Sequence, residues 1–526
     1  MDSVLVLSVF GFTFLVIYLW MRKYRNSRLQ HYEVLASDVS KGHKFYMEDI
    51  FPDQTYCNIG HYKIRQGACC ESCGICVDDH SMKAANKRIP CKPVSQVGEM
   101  TSHHWVRGNL SLYSKCYICD EDCGTMAHMS DFRCAWCGRS THENCIPKEP
   151  QACDMGPFQQ FVIPPNCVKL QQKGFKGRRH YIVSEARKPP ISNWSPLIVF
   201  ANKKSGNNDG QYILRAFRGV LNSSQVIDLD DIPPEGGLEW CHLLSDVTAR
   251  VLVCGGDGSI GWVLSAIENL NFKNPPLVCI LPLGTGNDLS RVLGWGEGYT
   301  HDDVRIEDFL RRIQAAHPIK LDRYVMIRSY YIVHILYMVM SNYCSLGVDA
   351  LVTLNFHRQR ESRPWLFAHR VINKLCYFYY GTKDVLENEC KHLNKKIKVE
   401  LDGVPLTLPE IEGFVVLNIS SWGGGCQPWG TEDNESEFKQ PRYDDGLLEV
   451  MGLYSSFHIA QLQVGLADPI KLGQAKVVKI SLRDSNVPMQ VDGEPWEQTH
   501  PSEIVITHKC QANLLALNHR SQVNFA

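Results

Sequence analysis

The spacing of cysteine and histidine between residues 103 and 153 constrains this chain more than any other feature. His103-x12-Cys116-x2-Cys119-x14-Cys134-x2-Cys137-x4-His142-x2-Cys145-x7-Cys153 offers eight soft donors, the number and kind that two tetrahedral zinc ions need. Such a segment folds around metal, because it has too few apolar runs to build a core of its own. A second, less regular set precedes it, with His43, Cys57, Cys70, Cys73 and Cys91. Most of the 22 cysteines fall between Cys57 and Cys153 and then thin out, which is not how a disulfide-stapled secreted chain of 526 residues would spread them. Zn2+ is therefore the expected ligand. Cys254, Cys279, Cys344 and Cys376 stand in apolar contexts and read as small buried hydrophobes.

The length implies several domains, since single cores seldom exceed roughly 250 residues. Lys plus Arg at 55 against Asp plus Glu at 56 gives no global charge with which to hold nucleic acid. Residues 4–21 form an uncharged apolar run about long enough to cross a bilayer, followed by Arg22, Lys23 and Arg25. With the basic flank after the run, the expectation is a single-pass or monotopic anchor with residues 22–526 cytosolic. The membrane expected is the endoplasmic reticulum or the plasma membrane. Residues 154–194 carry Lys169, Lys173, Lys176, Arg178, Arg179, Arg187 and Lys188 against Glu185, and read as a basic linker, either a solvated connector or a contact for anionic headgroups.

From residue 195 the pattern changes. Short β-branched runs at 197–201, 225–229, 250–254 and 277–281 alternate with helical stretches, as buried parallel strands do. Ile260, Val263, Leu264, Ile267 and Leu270 form one helical face directly after a glycine turn. Residues 195–324 are thus expected to be an open α/β sheet with its ligand at the carboxyl ends of the strands. Residues 342–510, mostly strand from about Lys395 onward, read as a second, β-rich and sandwich-like domain. Between them, 325–341 is almost continuously apolar and fits neither. A single crossing there would split the two domains across a membrane, so it is expected to be an insertion, a splice product or a lipid-facing surface element.

Three turns follow predicted strands: Asn202 to Gly206, Gly255 to Ser259, and Leu283 to Asp288. Glycines let backbone N–H groups approach phosphate oxygens closely, and a helix beginning at the same place adds a positive end. The second turn spells Gly256-x-Gly258-x-x-Gly261, like a dinucleotide fingerprint, but no acid for a ribose follows the next strand, and no Lys-Ser/Thr completes a P-loop. A carboxylate, Asp257, stands among its glycines. Such a group suits a phosphate site when a magnesium ion lies between them, which points to ATP and Mg2+.

The 103–153 module resembles the C1 domain. By that resemblance His103, Cys134, Cys137 and Cys153 hold one zinc, and Cys116, Cys119, His142 and Cys145 the other. Aligning His43 with His103 makes 43–91 a degenerate C1 module, in which His43, Cys70, Cys73 and Cys91 complete one site. Gly60, Asp78 and Ser81 fall at places of the other, for which His61 and His80 offer a weaker rebuilt set. The glutamine-glycine pair that shapes the lipid groove of such domains is present only there, as Gln66-Gly67, so regulatory or structural roles are expected of both modules ahead of lipid recruitment.

The glycine turns, together with Asn342 to Ala350, Asn418 with Gly423 to Gly425, Asp444 to Val450 and Met489 to Trp496, resemble the diacylglycerol kinase family from about residue 43 to 510. The anchor with two C1 modules resembles its epsilon type. The resemblance implies phosphorylation of diacylglycerol by ATP among membrane lipids. It assigns Asn202, Ser205, Gly206, Gly255, Gly256, Gly258 and Ser259 to the phosphates, and Thr285, Gly286, Asn287 and Asp288 to the nucleotide or the approaching lipid. Asp257 falls to magnesium or the triphosphate, and Asp492, with Glu494 nearby, to the general base. Related sphingosine kinases suggest Asp257 as base instead, and Asp402-Gly403 warns that Asp-Gly alone is often a hairpin turn. The rivals are a kinase for another substrate, a sphingoid lipid or NAD, and an inactive membrane-tethered C1 scaffold.

Overall fold

The computed structural model describes Ile17, Trp20 and residues 42–52, 54–111, 113–124, 129–173, 180–203, 205–206, 209–299, 305–330, 334–362, 390–430, 438–483 and 486–517. The expected anchor at 4–21 lies outside these residues apart from Ile17 and Trp20. Among the described residues no helix is long and apolar enough to cross a membrane. The chain divides into two compact units, one of 1–196 with 215–226, the other of 197–214 with 227–526.

In the first unit two three-stranded antiparallel sheets repeat one plan. Strands β1 (Phe45–Glu48), β2 (Gly67–Cys70) and β3 (Cys76–Val77) build one module, and β4 (Trp105–Arg107), β5 (Phe132–Cys134) and β6 (Ser140–Thr141) the other. The amide of Asn109 both accepts from Tyr56 N at 2.8 Å and donates to Tyr56 O at 2.9 Å, which locks the modules together. Lys92 faces the Trp136 ring at 4.5 Å and donates to the carbonyls of Arg218 and Gly219. Cys69 and Cys76, outside the expected metal set, form a disulfide.

The supposed basic linker is not a free connector. Phe158, Phe161, Val162, Ile163 and Trp194 are buried, and Trp194 donates to Val162 O at 2.8 Å. Its charged part pairs as an antiparallel hairpin, β7 (Val168–Lys173) with β8 (His180–Ala186). Counting lysines and arginines concealed the apolar positions on either side of them.

The second unit begins with β9 (Leu197–Ala201), β10 (Val226–Asp228), β11 (Arg250–Gly255) and β12 (Leu277–Pro282), where the sequence places them. β11 lies parallel between β9 and β12, every central residue buried, as expected of strands covered on both faces. Further strands are β13 (His317–Tyr330), β14 (His334–Met340), β16 (Ile397–Leu401), β17 (Val404–Leu406), β21 (Val477–Leu482) and β24 (Ser502–Ala516). With the first four they form one ten-stranded sheet. β24 joins its halves. It pairs with β13 along one edge, and on the other with β21 near its start and β12 near its end. A six-stranded antiparallel sheet runs in the order β20 (Ile470–Ala475), β19 (Leu448–Leu453), β18 (Gly413–Leu417), β15 (Tyr343–Gly347), β22 (Val487–Val491) and β23 (Glu494–Gln498). Alternation sets its packing: β21 turns Val478, Ile480 and Leu482 inward to meet Leu346, Phe414, Val450 and Met489 in one core.

The apolar run at 325–340, which fits neither domain in the sequence, lies within the ten-stranded sheet: β13 pairs with β24 from His317 to Ser329 and antiparallel with β14, with Tyr324, Met326 and Met340 in the core. The run looks uniformly apolar because one side of the hairpin faces that core. The β-rich second domain also holds a helix, Val348–Ser362, whose first residues are buried almost without a polar interruption.

Candidate active site

Three sets of side chains converge as metal sites: His43, Cys70, Cys73 and Cys91; His103, Cys134, Cys137 and Cys153; Cys116, Cys119, His142 and Cys145. The donor atoms of each lie within 4.8 Å of one another. Donors about 2.3 Å from a zinc ion sit about 3.8 Å apart at the corners of a tetrahedron. Cys70 Sγ to Cys91 Sγ is 3.6 Å, Cys134 Sγ to Cys153 Sγ 4.0 Å, and Cys73 Sγ to His43 Nδ1 3.3 Å. Zn2+ therefore fits. His43 Nε2 meets Ile89 O at 2.9 Å, which turns Nδ1 to the site and fixes the tautomer.

At the remaining place in the first module, Asp78 sits at a hub. It accepts from Cys57 Sγ, Tyr62 OH, Ser81 Oγ and the backbone N–H groups of His80 and Ser81. Burial opposes its ionisation, but the bonds from Ser81, Tyr62 and Cys57 hold its carboxyl well below the ordinary range. Among the described residues His61 and His80 join no metal group. The hub does with hydrogen bonds what a second ion would do. Metal analysis of the purified chain is expected to give three zinc ions, and Asp78→Ala to leave that count unchanged while destabilising the module by about 1–3 kcal/mol. A count of four would refute the assignment. Gly67 has a packing reason of its own, since a Cβ there would lie 2.2 Å from Val77 O.

The glycine turns gather at the carboxyl ends of β9, β11 and β12. Ser205 N bonds back to Asn202 O, and a Cβ on Gly206, at φ +61°, would lie 3.3 Å from the Leu283 Cβ. A Cβ on Gly284 would lie 2.6 Å from the Gly256 Cα, so two turns touch backbone to backbone. Gly284→Ala is expected to force them apart, costing about 1–3 kcal/mol of stability and most of the nucleotide affinity. Urea unfolding and equilibrium nucleotide binding check this. The Asn202 side chain bonds Asp230, and Asn287, buried and left-handed at φ +54°, donates to the carbonyls of Gly284 and Glu297. Asn287 holds the third turn in shape with both side-chain N–H groups, while its buried Oδ1 meets no hydrogen-bond partner among the described residues. Gly255 ends β11, and Gly258 and Ser259 open the helix Asp257–Leu270 behind it.

Two carboxylates, Asp257 and Asp288, meet beside these turns. Asp257 accepts from Asp288 N at 3.1 Å and Leu289 N at 3.3 Å, capping the short helix Asp288–Val292. Asp288, buried, accepts from Ser421 Oγ at 2.6 Å and from Gly424 N and Gly425 N. Gly423, Gly424 and Gly425 all have positive φ, which turns successive N–H groups to one side, the conformation glycine adopts most readily. Burial, then the charge of Asp288, raises Asp257 to about 7 against the bonds it accepts, and Asp492 adds to the repulsion. A Cβ on Gly286 would lie 3.4 Å from Asp288 Oδ2 and 3.7 Å from Asp257 Oδ2, so the Thr285-Gly286 turn passes directly over both acids.

Asp492 is held differently from a free base. At φ +49° its carboxylate accepts from the N–H groups of Ser341, Asn342 and Tyr343 at 2.7, 2.8 and 3.0 Å. Asp402 does the same in its own turn, at φ +50°, accepting from Lys476 N and Val477 N. Both aspartates clamp the entry to a neighbouring strand. Burial raises the Asp492 pKa, and the three backbone bonds oppose it. Glu494 is exposed, and its Oε1 lies 3.5 Å from where a Cβ on Gly258 would stand, over the second glycine turn. Asp349 escaped the sequence reading. Buried against Ser345 and Gln490, it is raised to about 6 by burial, and the only signal was a charge in an apolar run. Ser421 was missed too, since nothing local links it to Asp288.

Residues 196–320 match the diacylglycerol kinase catalytic domain, 339–495 the diacylglycerol kinase accessory domain, and 103–156 the phorbol esters/diacylglycerol binding domain (C1 domain). The chain belongs to the diacylglycerol kinase family. Diacylglycerol kinase 2 of Arabidopsis thaliana is 31% identical, over 85% of this chain and 78% of that protein. Probable diacylglycerol kinase 3 of Caenorhabditis elegans is 32% identical over 88% of this chain, and human diacylglycerol kinase theta 40% identical over 61%. The chain spans 63% of the first of these two and 34% of the second.

Proposed function

We propose that the chain transfers the terminal phosphoryl group of ATP to the free hydroxyl of 1,2-diacylglycerol, giving ADP and phosphatidic acid, at the cytosolic face of a membrane. The observation that carries this reading is the meeting of Asp257 and Asp288 at touching glycine turns. Within the family, the paired modules and the apolar amino-terminal run favour the epsilon type. Mg2+ fits the site, since burial and then the charge of Asp288 have raised Asp257 toward neutrality and a divalent cation would reverse that. When bound it would neutralise phosphate charge. Asn202, Ser205, Gly206, Gly255, Gly256, Gly258 and Ser259 line the triphosphate, and Thr285, Gly286 and Asp288 the approach of the lipid. Positioning and charge neutralisation are most of what such a transfer asks of the protein.

The base is better sought in Glu494 than in Asp492. Asp492 has its carboxylate engaged by three backbone donors, whereas Glu494 is exposed beside the second glycine turn, where it can receive the hydroxyl proton. Asp492 positions it from the other end of a tight turn.

Reconstituted full-length protein given labelled ATP and Mg2+ is expected to label diacylglycerol in preference to sphingosine or NAD. Preferential labelling of NAD would install the nucleotide-kinase reading, and no labelling at all the scaffold. In sealed microsomes, protease is expected to reach the sequence beyond residue 341. Its protection would refute the cytosolic assignment.

A further inference from the structure

Strands put successive side chains on opposite faces, so in a covered sheet exposure alternates along them. β14 breaks this rule. Ile335, Leu336 and Tyr337, three in a row, are 54%, 46% and 64% exposed, so the start of β14 is bare on both faces. Among the described residues β14 pairs with β13 alone, which leaves its outer edge open as well. This segment is an exposed edge of the sheet, paired with the stretch of β13, Ile327 to Ser329, that itself pairs with β24. Large apolar side chains on an open edge are what soluble proteins avoid unless something covers them.

Farther along, β14 runs into the site. Met338 and Val339 are half-buried, Met340 is in the core, and the next residues, Ser341 and Asn342, donate their N–H groups to Asp492. β13 is fastened to the hairpin that carries Glu494, because Arg328 donates to Gln498 at 2.7 Å and lies over the Trp496 ring. The helix Asp257–Leu270, which opens at the second glycine turn, packs on β14 and carries an exposed Trp262.

We propose that the β13–β14 hairpin dips Ile335, Leu336 and Tyr337 into the outer part of a phospholipid bilayer and so sets the carboxylates at the level where a diacylglycerol hydroxyl emerges. The occupant follows from where the strand leads. Its bare end lies a few residues from groups that, on the lipid-kinase reading on which this proposal rests, must meet a molecule dissolved in the membrane. A hairpin of that kind contributes apolar area at the interface and leaves its backbone partners in the sheet.

The full chain with Ile335→Ser, Leu336→Ser and Tyr337→Ser is compared with the wild type on two substrates: long-chain diacylglycerol in phosphatidylcholine/phosphatidylserine vesicles, and a short-chain diacylglycerol dissolved as monomers. The expected result is a rise of about tenfold in the KM for vesicle substrate with kcat and the monomer reaction unchanged. Hydrogen exchange of peptides covering 335–340 is expected to slow in the wild type when vesicles are added. Equal losses on both substrates would mean a structural role, and an unchanged vesicle KM no role; either overturns the proposal. Protection that grows with protein concentration without vesicles would give the edge to a second copy and also overturn it. If the wild type phosphorylates neither substrate, the lipid-kinase reading itself fails.

Discussion

Asp257→Asn is expected to reduce phosphoryl transfer by about 1000-fold and at the same time to make the protein more stable at pH 8. The sign follows from the carboxyl's raised value of about 7, set by burial and by the charge of Asp288. A folded-state pKa above the unfolded value, about 3.9, means that ionisation works against the fold. The penalty is absent below about pH 4, grows as the pH rises to about 7, and is full above that. Asparagine escapes it and keeps one acceptor for the N–H groups of Asp288 and Leu289. Urea unfolding should show a gain on the order of 1–2 kcal/mol at pH 8, allowing for solvent screening, and none near pH 4. Equal stabilities at pH 8, or activity near that of the wild type, would defeat this account. For the same reason added Mg2+ should favour the ionised wild-type site, and its apparent affinity should fall as the pH drops below about 7.

The second large effect separates two neighbours in one turn. Glu494→Gln is expected to lower kcat by about 100- to 10000-fold, with little change in the KM for ATP or in the unfolding midpoint, because the side chain is exposed. Asp492→Asn should act chiefly on the fold, losing about 1–3 kcal/mol as the clamp on Ser341, Asn342 and Tyr343 weakens. Asp402→Asn serves as the control, a similar loss of stability at a turn that carries no Glu494 counterpart. Full activity in Glu494→Gln alongside a stable but inactive Asp492→Asn would return the base to Asp492.

What could be read from the sequence was what local spacing determines. The parallel strands announce themselves because both their faces are buried, and β-branched runs such as Val251 to Val253 have no other economical place. The cysteine and histidine intervals define which donors can meet, since each tight turn delivers a pair. The remainder depends on contacts far apart in the chain. Asp288 owes its surroundings to Ser421 and Gly424, and the clamp made by Asp492 closes on residues about 150 positions earlier. Asp78 looked like a lost ligand because spacing shows where a donor is missing, not what bonds fill the place. The apolar run at 325–340 resisted assignment for a related reason: hydropathy adds up side chains without knowing that some face a core and others stand exposed on an edge.

The position of β24 bears on when this protein can come into being. The strand that closes the sheet, Ser502–Ala516, is the last described element, yet it pairs with β13 along one edge and with β21 and β12 along the other, all of which leave the ribosome earlier. Until it arrives, those partners wait with open edges and no route to the finished sheet, and pairing of such sequence separation is slow. Synthesis therefore imposes a timer: the glycine turns stand at the ends of strands that remain unsupported until Ser502–Ala516 has been made, so the site waits on that strand.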